Sequence, residues 1–217
     1  MLNSIIIANG EIKDYKKTKI IIDNIMTSGA IIIAADGGSN HLDALGVTPN
    51  YIVGDLDSSN SLDELKSKFR GCEFELYNSE KDYTDMELAI NLAVSLSSPL
   101  VYLIGCLGNR LDHTLGNLFL LKTIKFKGLR GVILNETNHV EYISNEIAEI
   151  DFDGYKYFSF IPVEGDIKSV TLKGMKYPLD DMFVEFGSTL GISNELVGKK
   201  ASIELRDSSA IIIKSND

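Results

Sequence analysis

Two aspartates, Asp55 and Asp57, are separated by one residue directly after an apolar run at residues 51–53. Alternate side chains of an extended chain point the same way, so both carboxylates are expected on one side. Two carboxylates that close together repel each other unless a proton or a cation lies between them. Mg²⁺ prefers oxygen ligands and usually shares its shell with phosphate oxygens. The pair therefore predicts a metal–phosphate site, although aspartate is also common in turns, which explains one of the two well.

A second acidic motif, Ala-Asp-Gly-Gly at residues 35–38, also follows an apolar run. Gly37 and Gly38 are expected to let the backbone approach a phosphate and to expose N–H groups to it. Asp36 is a candidate contact for the same ligand, with the alternative that it only caps the helix that follows. Asn9 lies at the end of the first apolar run of the chain, and it is a candidate because of this position.

A third group of polar residues precedes a stripe of leucines with helical spacing. Thr84 and Glu87 have the spacing of a capping box, which places Asp85 in the first turn of a helix. Asp85 is either a functional acid or a first-turn acid that suits the helix dipole. Lys81, Asp82 and Thr84 are also candidate contacts of the ligand, although Lys81 and Asp82, taken alone, are explained well as a solvated pair of loop charges.

A glycine-rich loop at residues 105–113 connects a predicted strand to a predicted helix. Arg110 in this loop is well placed for a phosphate, because guanidinium groups bind phosphate oxygens in a bidentate manner. The alternative is that Arg110 is a surface cation. Asp112 is a candidate contact or the N-cap of the next helix, and His113 a candidate contact or an ordinary helical histidine.

Composition and charge exclude several classes of function. The chain has 217 residues and a formal net charge of −10, which argues against general binding to nucleic acid or to a membrane surface. An acidic protein that binds a polyphosphate needs metal ions as intermediaries, and it suits a cationic second ligand. The two cysteines form no disulfide framework, so a reducing cytoplasm is the expected location.

Several common motifs are absent from the sequence. It contains neither a Walker A motif nor a G-x-G-x-x-G motif, and its three histidines have no zinc-ligand spacing. The N-terminus has no basic region of the kind that begins a signal peptide. No apolar run approaches the roughly 20 residues of a membrane span. We therefore expect neither a membrane nor a nucleic acid as a partner.

Apolar runs with strand character alternate with helical patterns through the first part of the chain. The predicted strands are residues 4–8, 31–35, 51–53, 73–76, 100–104 and 132–134, and the predicted helices are 18–26, 39–45, 61–69, the segment after Thr84, and 114–124. This alternation predicts an α/β fold with a mainly parallel sheet and flanking helices. Ligands of such sheets collect at the carboxyl ends of the strands, where the acidic motifs lie.

The sequence pattern changes after about residue 137. Short apolar segments separated by turn residues follow at residues 140–143, 147–152, 157–161, 167–172, 199–205 and 210–214. Several short strands at this spacing indicate a sandwich or a barrel. We therefore predict two domains, an α/β domain at residues 1–136 and an all-β sandwich at residues 137–217.

Taken together, these motifs resemble the thiamine pyrophosphokinase (thiamine diphosphokinase) family. The matching segments, in chain order, are residues 35–38, 54–58, 81–85, 105–113, 176–179 and 191–195. Each motif is weakly specific alone, but six in the same order over nearly the whole chain are highly specific. Asn109 stands where the family often has a second glycine, and asparagine tolerates left-handed geometry.

The resemblance implies an activity and a set of roles. It implies pyrophosphate transfer from ATP to the hydroxyethyl group of thiamine, with Mg²⁺ required and AMP released. It also implies a homodimer whose thiamine pocket is shared between the α/β domain of one subunit and the sandwich of the other. By position, the metal and catalytic acids are Asp55, Asp57 and Asp85, the nucleotide and phosphate contacts include Asp36, Arg110 and Asp112, and the thiamine-contacting segment contains Ser193 and Asn194.

Three other classes of function remain open from the sequence. A metal-dependent phosphohydrolase or another nucleotide transferase would use the same α/β half and would act on nucleotide without thiamine. A sensor of thiamine or nucleotide would bind without forming AMP. A purely structural protein would have no reason to gather carboxylates at one edge of a sheet.

Overall fold

The computed structural model describes residues 1–55, 62–77, 82–151, 153–198 and 200–217. These residues form two compact units, Met1–Glu136 and Thr137–Asp217. Two of the predicted site residues, Asp57 and Lys81, lie outside the described residues. No helix in the described ranges is both long enough and apolar enough to span a bilayer.

Strands and helices alternate along the first unit. They are β1 (Asn3–Ile7), α1 (Tyr15–Met26), β2 (Ala30–Ala35), α2 (Gly38–Leu45), β3 (Tyr51–Gly54), α3 (Leu62–Lys68), β4 (Glu73–Leu76), α4 (Asp85–Ser95), β5 (Leu100–Ile104), α5 (Leu111–Phe126) and β6 (Arg130–Leu134). The strands pair in the order β6-β5-β1-β2-β3-β4, and every one of these pairs is parallel. The predicted α/β fold is confirmed for this unit.

The core of the first unit consists of branched aliphatic side chains from the central strands. Ile5, Ile7 and Ile32 are at most 3% exposed, and Leu42 of α2 packs in the same cluster. Strands of a parallel sheet are covered on both faces, so they appear in the sequence as nearly continuous apolar runs. This pattern is the reason that β1, β2 and β5 could be located closely from the sequence.

Two helices of the first unit begin earlier than predicted. Helix α1 begins at Tyr15 rather than at residue 18, because the side chain of Asp14 accepts hydrogen bonds from the backbone N–H groups of Lys16 and Lys17. Helix α5 begins at Leu111 rather than at residue 114 and ends at Phe126. The predicted capping box of α4 is present.

The second unit consists of strands joined by turns. They are β7 (Asn138–Ser144), β8 (Ile147–Asp151), β9 (Tyr157–Pro162), β10 (Ile167–Lys173), β11 (Leu179–Val184), β12 (Asn194–Glu195), β13 (Lys200–Arg206) and β14 (Ser209–Ser215). They form two antiparallel groups, β12-β9-β14-β7 and β11-β10-β13-β8. Phe158, Phe160 and Ile203 are at most 2% exposed in the core of this unit. The predicted all-β sandwich is confirmed.

Two strands of the second unit were not predicted. In β11, four of the six residues are exposed, so the segment lacks the alternating apolar pattern that identifies a half-buried strand. Strand β12 contains two residues, Asn194 and Glu195, and is too short to give any pattern.

Candidate active site

A cavity of about 1000 Å³ lies in the first unit, beside the carboxyl ends of β1, β2 and β5. Its wall consists of the turn that follows β1, the end of β2, the first turn of α4, the loop that follows β5, and the first turns of α5. This is the edge at which open α/β sheets bind their ligands. The volume is within the range of small-molecule sites.

The cavity brings together seven of the predicted site residues, namely Asn9, Asp36, Thr84, Asp85, Arg110, Asp112 and His113. Four other predicted residues of the first unit are described by the structure but do not line the cavity: Gly37, Gly38, Asp55 and Asp82.

Two acidic residues from separate parts of the first unit approach Gly54 at the end of β3. A Cβ atom built on Gly54 would lie 3.1 Å from Oδ1 of Asp85 and 3.3 Å from Cβ of Asp36. Asp55 follows Gly54 directly, so at least two acidic side chains approach the point at which the predicted metal pair begins. Backbone strain also favours glycine here, because Gly54 has a φ of +149°.

The donor set around Gly54 suits a hard cation. Carboxylate oxygens are the preferred protein ligands of Mg²⁺, which is usually held by one or two carboxylates together with substrate phosphates. No group of three or more His, Cys, Asp or Glu side chains within the described ranges is arranged to hold a metal ion, and these ranges omit Asp57. The predicted set of Asp55, Asp57 and Asp85 therefore stays a prediction.

The glycines of the strand-end turns are explained by backbone packing. A Cβ atom on Gly38 would lie 1.9 Å from the carbonyl oxygen of Ile7, and one on Gly10 would lie 2.3 Å from that of Gly105. Contacts this short are not possible, so any side chain at Gly38 or Gly10 would push β1 away from α2 or from the loop that follows β5. Gly38 has a structural role whether or not it also approaches a phosphate.

Asp36 does not cap α2, which corrects the alternative drawn from the sequence. The N-cap of the helix is Gly37, which makes no side-chain hydrogen bond. Asp36 instead has a φ of +46°, which is unusual for a residue other than glycine. Unusual backbone geometry of this kind is frequent at functional sites, where the surrounding structure maintains it. The strained turn directs an acidic residue to the cavity wall.

Side chains of α5 hold the glycine-rich loop in place. The hydroxyl of Thr114 accepts a hydrogen bond from the Gly108 N–H (3.2 Å) and donates one to the Gly108 carbonyl (3.3 Å). Asn117 Nδ2 donates to the Cys106 carbonyl at 2.8 Å. The loop is thus fixed at two points by residues three positions apart on one helix face.

Arg110 and Asp112 form a bidentate ion pair at the mouth of this loop. Arg110 Nε lies 3.2 Å from Oδ1 of Asp112, and Nη2 lies 2.6 Å from Oδ2. The hydrogen bond from Arg110 lowers the pKa of Asp112 to about 2, so Asp112 is ionised at neutral pH. Both side chains are about two-thirds exposed, so water screens the pair strongly. Asp112 lies in the first turn of α5 and is not its N-cap, which is Arg110.

Sequence reasoning did not identify the residues that support the turn after β1. His41 of α2 bridges this turn to α1: its Nε2 donates to the Gly10 carbonyl (2.8 Å), and its Nδ1 forms a hydrogen bond with the Tyr15 hydroxyl (2.7 Å). Such a contact joins residues 31 positions apart and leaves no local signal in the sequence. Glu11, which also lines the cavity, was not identified from the sequence either.

The two predicted residues of the second unit have different environments. Ser193 is exposed and has a φ of +58°, and its N–H donates to Ser159 Oγ at 2.9 Å. Asn194 is 8% exposed, and its carboxamide bonds to the backbone of Tyr177.

An α/β unit with acids, an arginine and a tightly packed glycine loop around one cavity is typical of enzymes that act on phosphorylated or nucleotide ligands. Comparison with known families makes this more specific. Residues 22–133 match the model described as "Thiamin pyrophosphokinase, catalytic domain". Residues 144–209 match the model described as "Thiamin pyrophosphokinase, vitamin B1 binding domain". The chain belongs to the thiamin pyrophosphokinase family.

Individual relatives agree with this assignment. The thiamine pyrophosphokinase of Bacillus subtilis is 34% identical over 190 residues, which cover 85% of this chain and 87% of that protein. A crystal structure of the Bacillus subtilis enzyme has a TM-score of 0.88 at 28% identity and covers 99% of both chains. The structure from Geobacillus thermodenitrificans has a TM-score of 0.86 at 29% identity, covering 100% of this chain and 98% of that one.

Proposed function

We propose that this chain transfers pyrophosphate from ATP to the hydroxyethyl oxygen of thiamine, giving thiamine pyrophosphate and AMP. The observation that carries the proposal is the convergence of Asp36 and Asp85 on Gly54 beside a cavity that also contains Arg110, in a chain of this family. Direct displacement at a phosphorus atom needs positioning and charge neutralisation more than covalent chemistry from the protein.

Asp55, Asp57 and Asp85 are proposed to hold Mg²⁺. Their oxygen atoms suit this ion, and Asp85 is positioned by the first turn of the capped helix α4. When bound, the ion supplies charge neutralisation on the triphosphate oxygens. We also propose that Asp85, which lines the cavity and is half-buried, orients or deprotonates the thiamine hydroxyl.

Arg110 is proposed to bind the triphosphate through its guanidinium group. In this structure Arg110 pairs with Asp112. Both side chains are exposed, so an anion can replace Asp112 as the partner of Arg110 at little cost. A phosphate offers the same bidentate geometry with more negative charge. Asn9, Asp36, Gly37, Gly38, Lys81, Asp82, Thr84, Asp112 and His113 remain predicted contacts of the nucleotide or its phosphates.

The second unit, residues 137–217, is proposed to contribute thiamine contacts through Ser193 and the neighbouring exposed aromatic residue Tyr177. The chain has no tryptophan, and Tyr177 is 61% exposed within the region that matches the vitamin B1 binding model. An aromatic ring suits both the pyrimidine and the thiazolium cation of thiamine. The pocket is proposed to be shared between two subunits of a homodimer, and a cytoplasmic location stays a prediction from the sequence.

Formation of AMP tests the proposal. Purified chain is incubated with ATP and Mg²⁺, with and without thiamine, and AMP and thiamine pyrophosphate are quantified by chromatography. We expect equal amounts of the two products, formed only when thiamine is present. Nucleotide cleavage without thiamine would indicate a phosphohydrolase, and binding of thiamine without AMP would indicate a sensor; either result contradicts the proposal.

A further inference from the structure

A short backbone ladder in the second unit joins the segment that precedes Tyr177 to the segment around β12. The Val197 N–H donates to the Gly174 carbonyl at 2.8 Å, and the Lys176 N–H donates to the Glu195 carbonyl at 2.8 Å. Met175 and Leu196 form an antiparallel bridge between these two bonds. Residues 174–176 are therefore held by ordinary strand pairing.

At Tyr177 the contact between the two segments passes from backbone to side chain. The residue opposite is Asn194, whose backbone also pairs with Phe158 of β9. The Asn194 Oδ1 accepts from the Tyr177 N–H at 3.1 Å, and its Nδ2 donates to the Tyr177 carbonyl at 2.8 Å. Both backbone polar groups of Tyr177 are thus satisfied by one carboxamide.

Asn194 is buried, whereas the Tyr177 residue to which it bonds is exposed. Asn194 is 8% exposed and its Oδ1 also accepts from the Glu195 N–H at 2.9 Å, so its carboxamide has a fixed position. The side chain of Tyr177 is 61% exposed, although its backbone is held on both sides. Pro178 follows and restricts Tyr177 to extended geometry. The result is a rigid backbone that presents an exposed ring.

We propose that Asn194 is a positioning residue that fixes the Tyr177 ring for thiamine through two hydrogen bonds to the Tyr177 backbone, rather than a direct thiamine contact. This inference rests on the proposed function and makes it more specific. A carboxamide is required because the role needs one donor and one acceptor in the same plane. Asparagine has both, whereas aspartate has only acceptors at neutral pH.

The Asn194→Asp variant separates this role from general stability. It keeps the shape of the side chain and the bonds from the Tyr177 and Glu195 N–H groups, but it places two acceptors against each other at the Tyr177 carbonyl. We expect the KM for thiamine to rise about tenfold, because the variant loses one hydrogen bond and leaves the Tyr177 carbonyl facing a second acceptor. The kcat and the KM for ATP are expected to stay within about threefold, because the cavity of the first unit is unchanged.

A second measurement reports on the segment without using activity. Trypsin cleaves after lysine, so limited digestion followed by mass spectrometry measures access to the Lys176–Tyr177 bond. We expect faster cleavage at this bond in Asn194→Asp than in the wild-type chain, because the backbone that follows Lys176 is released. Cleavage at other lysines and the thermal unfolding temperature serve as references for overall folding.

Asn216 provides a matched control in the same unit. Its Oδ1 accepts from the Lys156 N–H (2.8 Å) and its Nδ2 donates to the Gly154 carbonyl (3.0 Å), so it also bonds to one backbone donor and one backbone acceptor. Asn216→Asp makes the same chemical change at an exposed position. We expect it to leave cleavage after Lys176 and the KM for thiamine unchanged.

The outcomes are distinguishable. Faster cleavage together with a selective rise in the KM for thiamine supports the inference. Unchanged cleavage, an unchanged KM for thiamine, or an equal rise in the KM for both substrates overturns it. If Asn194→Asp does not fold, Asn194→Ala replaces it, because it introduces no charge. It is judged by the same two measurements, the rate of cleavage after Lys176 and the KM for thiamine. A wild-type chain that forms no thiamine-dependent AMP overturns the proposed function, and cleavage then still decides whether Asn194 holds Tyr177.

Discussion

The two units position their exposed polar and aromatic groups by different means. In the first unit, turns at the strand ends are set by close backbone packing, as at Gly38, where even a methyl group would collide with the Ile7 carbonyl. In the second unit, the backbone of Tyr177 is set by one side chain, Asn194. The first arrangement tolerates almost no change in shape, and the second depends on the donor and acceptor chemistry of a single group.

This difference suggests a division of labour between the units. Reaction at phosphorus requires several groups from separate elements to converge within tenths of an ångström, and rigid backbone packing provides that precision. Recognition of a flat, cationic ring requires a presented surface, for which one braced loop is sufficient. We therefore expect substitutions in the first unit to act on turnover and on folding, and those near Tyr177 to act on the KM for thiamine.

The largest effect is expected from Asp85→Asn. This change removes the negative charge of an acid at the point where Asp36 and Gly54 meet, with little change in shape. We expect turnover to fall by about 10²–10⁴-fold, the usual contribution of a positioned acid or base. Asp63→Asn is the matched control, because Asp63 is also a first-turn helix acid but is exposed and lies outside the cavity. Equal activity of the two variants in the AMP assay would reduce Asp85 to a helix-dipole acid.

The next effect is expected on folding, from Gly38→Ala. The added Cβ would lie 1.9 Å from the Ile7 carbonyl, so β1 and α2 must separate. We expect the free energy of unfolding in urea to fall by about 3 kcal/mol or more, as in severe overpacking. Gly116→Ala is the control: nothing lies within 4 Å of its Cβ position in α5, and alanine should stabilise that helix by about 0.5–1 kcal/mol. A stable Gly38→Ala protein with a raised KM for ATP would instead favour the predicted phosphate contact.

A smaller effect is expected from Arg110→Lys. Lysine keeps the charge but loses the planar, bidentate geometry with which arginine binds phosphate oxygens. We expect the KM for ATP to rise about tenfold while the KM for thiamine changes little. Arg70→Lys, at an exposed position outside the cavity, should change neither constant. An unchanged KM for ATP in Arg110→Lys would show that the exposed ion pair with Asp112 is its whole role.

The fold and much of the site could be predicted from the sequence because their signals are local. Parallel strands buried on both faces give continuous apolar runs, and Thr84 with Glu87 gives a capping box that places Asp85. Asp36, Asp85 and Arg110 each follow or begin such an element, so their meeting at one cavity follows from the topology of a parallel sheet.

The supporting contacts could not be predicted because they join distant positions. His41 reaches the Gly10 carbonyl across 31 positions, and Asn194 reaches Tyr177 across 17. A side chain that bonds to a backbone carbonyl does not require any particular residue type at the partner position, since every residue has a carbonyl. The sequence therefore gives no sign of such a contact. The structural need for Gly38 was also hidden, since a glycine before a helix suggests a phosphate turn as readily as close packing.

The smallest effect concerns the cysteines, both of which lie in the first unit. Burial raises the pKa of the Cys72 thiol to about 11, and it raises that of Cys106 further, since Cys106 is fully enclosed in the loop after β5. At pH 8, only about a thousandth of Cys72 is thiolate, the reactive form.

We expect iodoacetamide to label folded Cys72 slowly, with a rate that rises about tenfold per pH unit up to pH 11, and to label Cys106 more slowly still. Urea should expose both thiols when the first unit unfolds. The labelling does not report on the second unit, which has no cysteine. Faster labelling of Cys106 than of Cys72 in the folded chain would show that the loop around the cavity opens, contrary to the rigid packing inferred for the first unit.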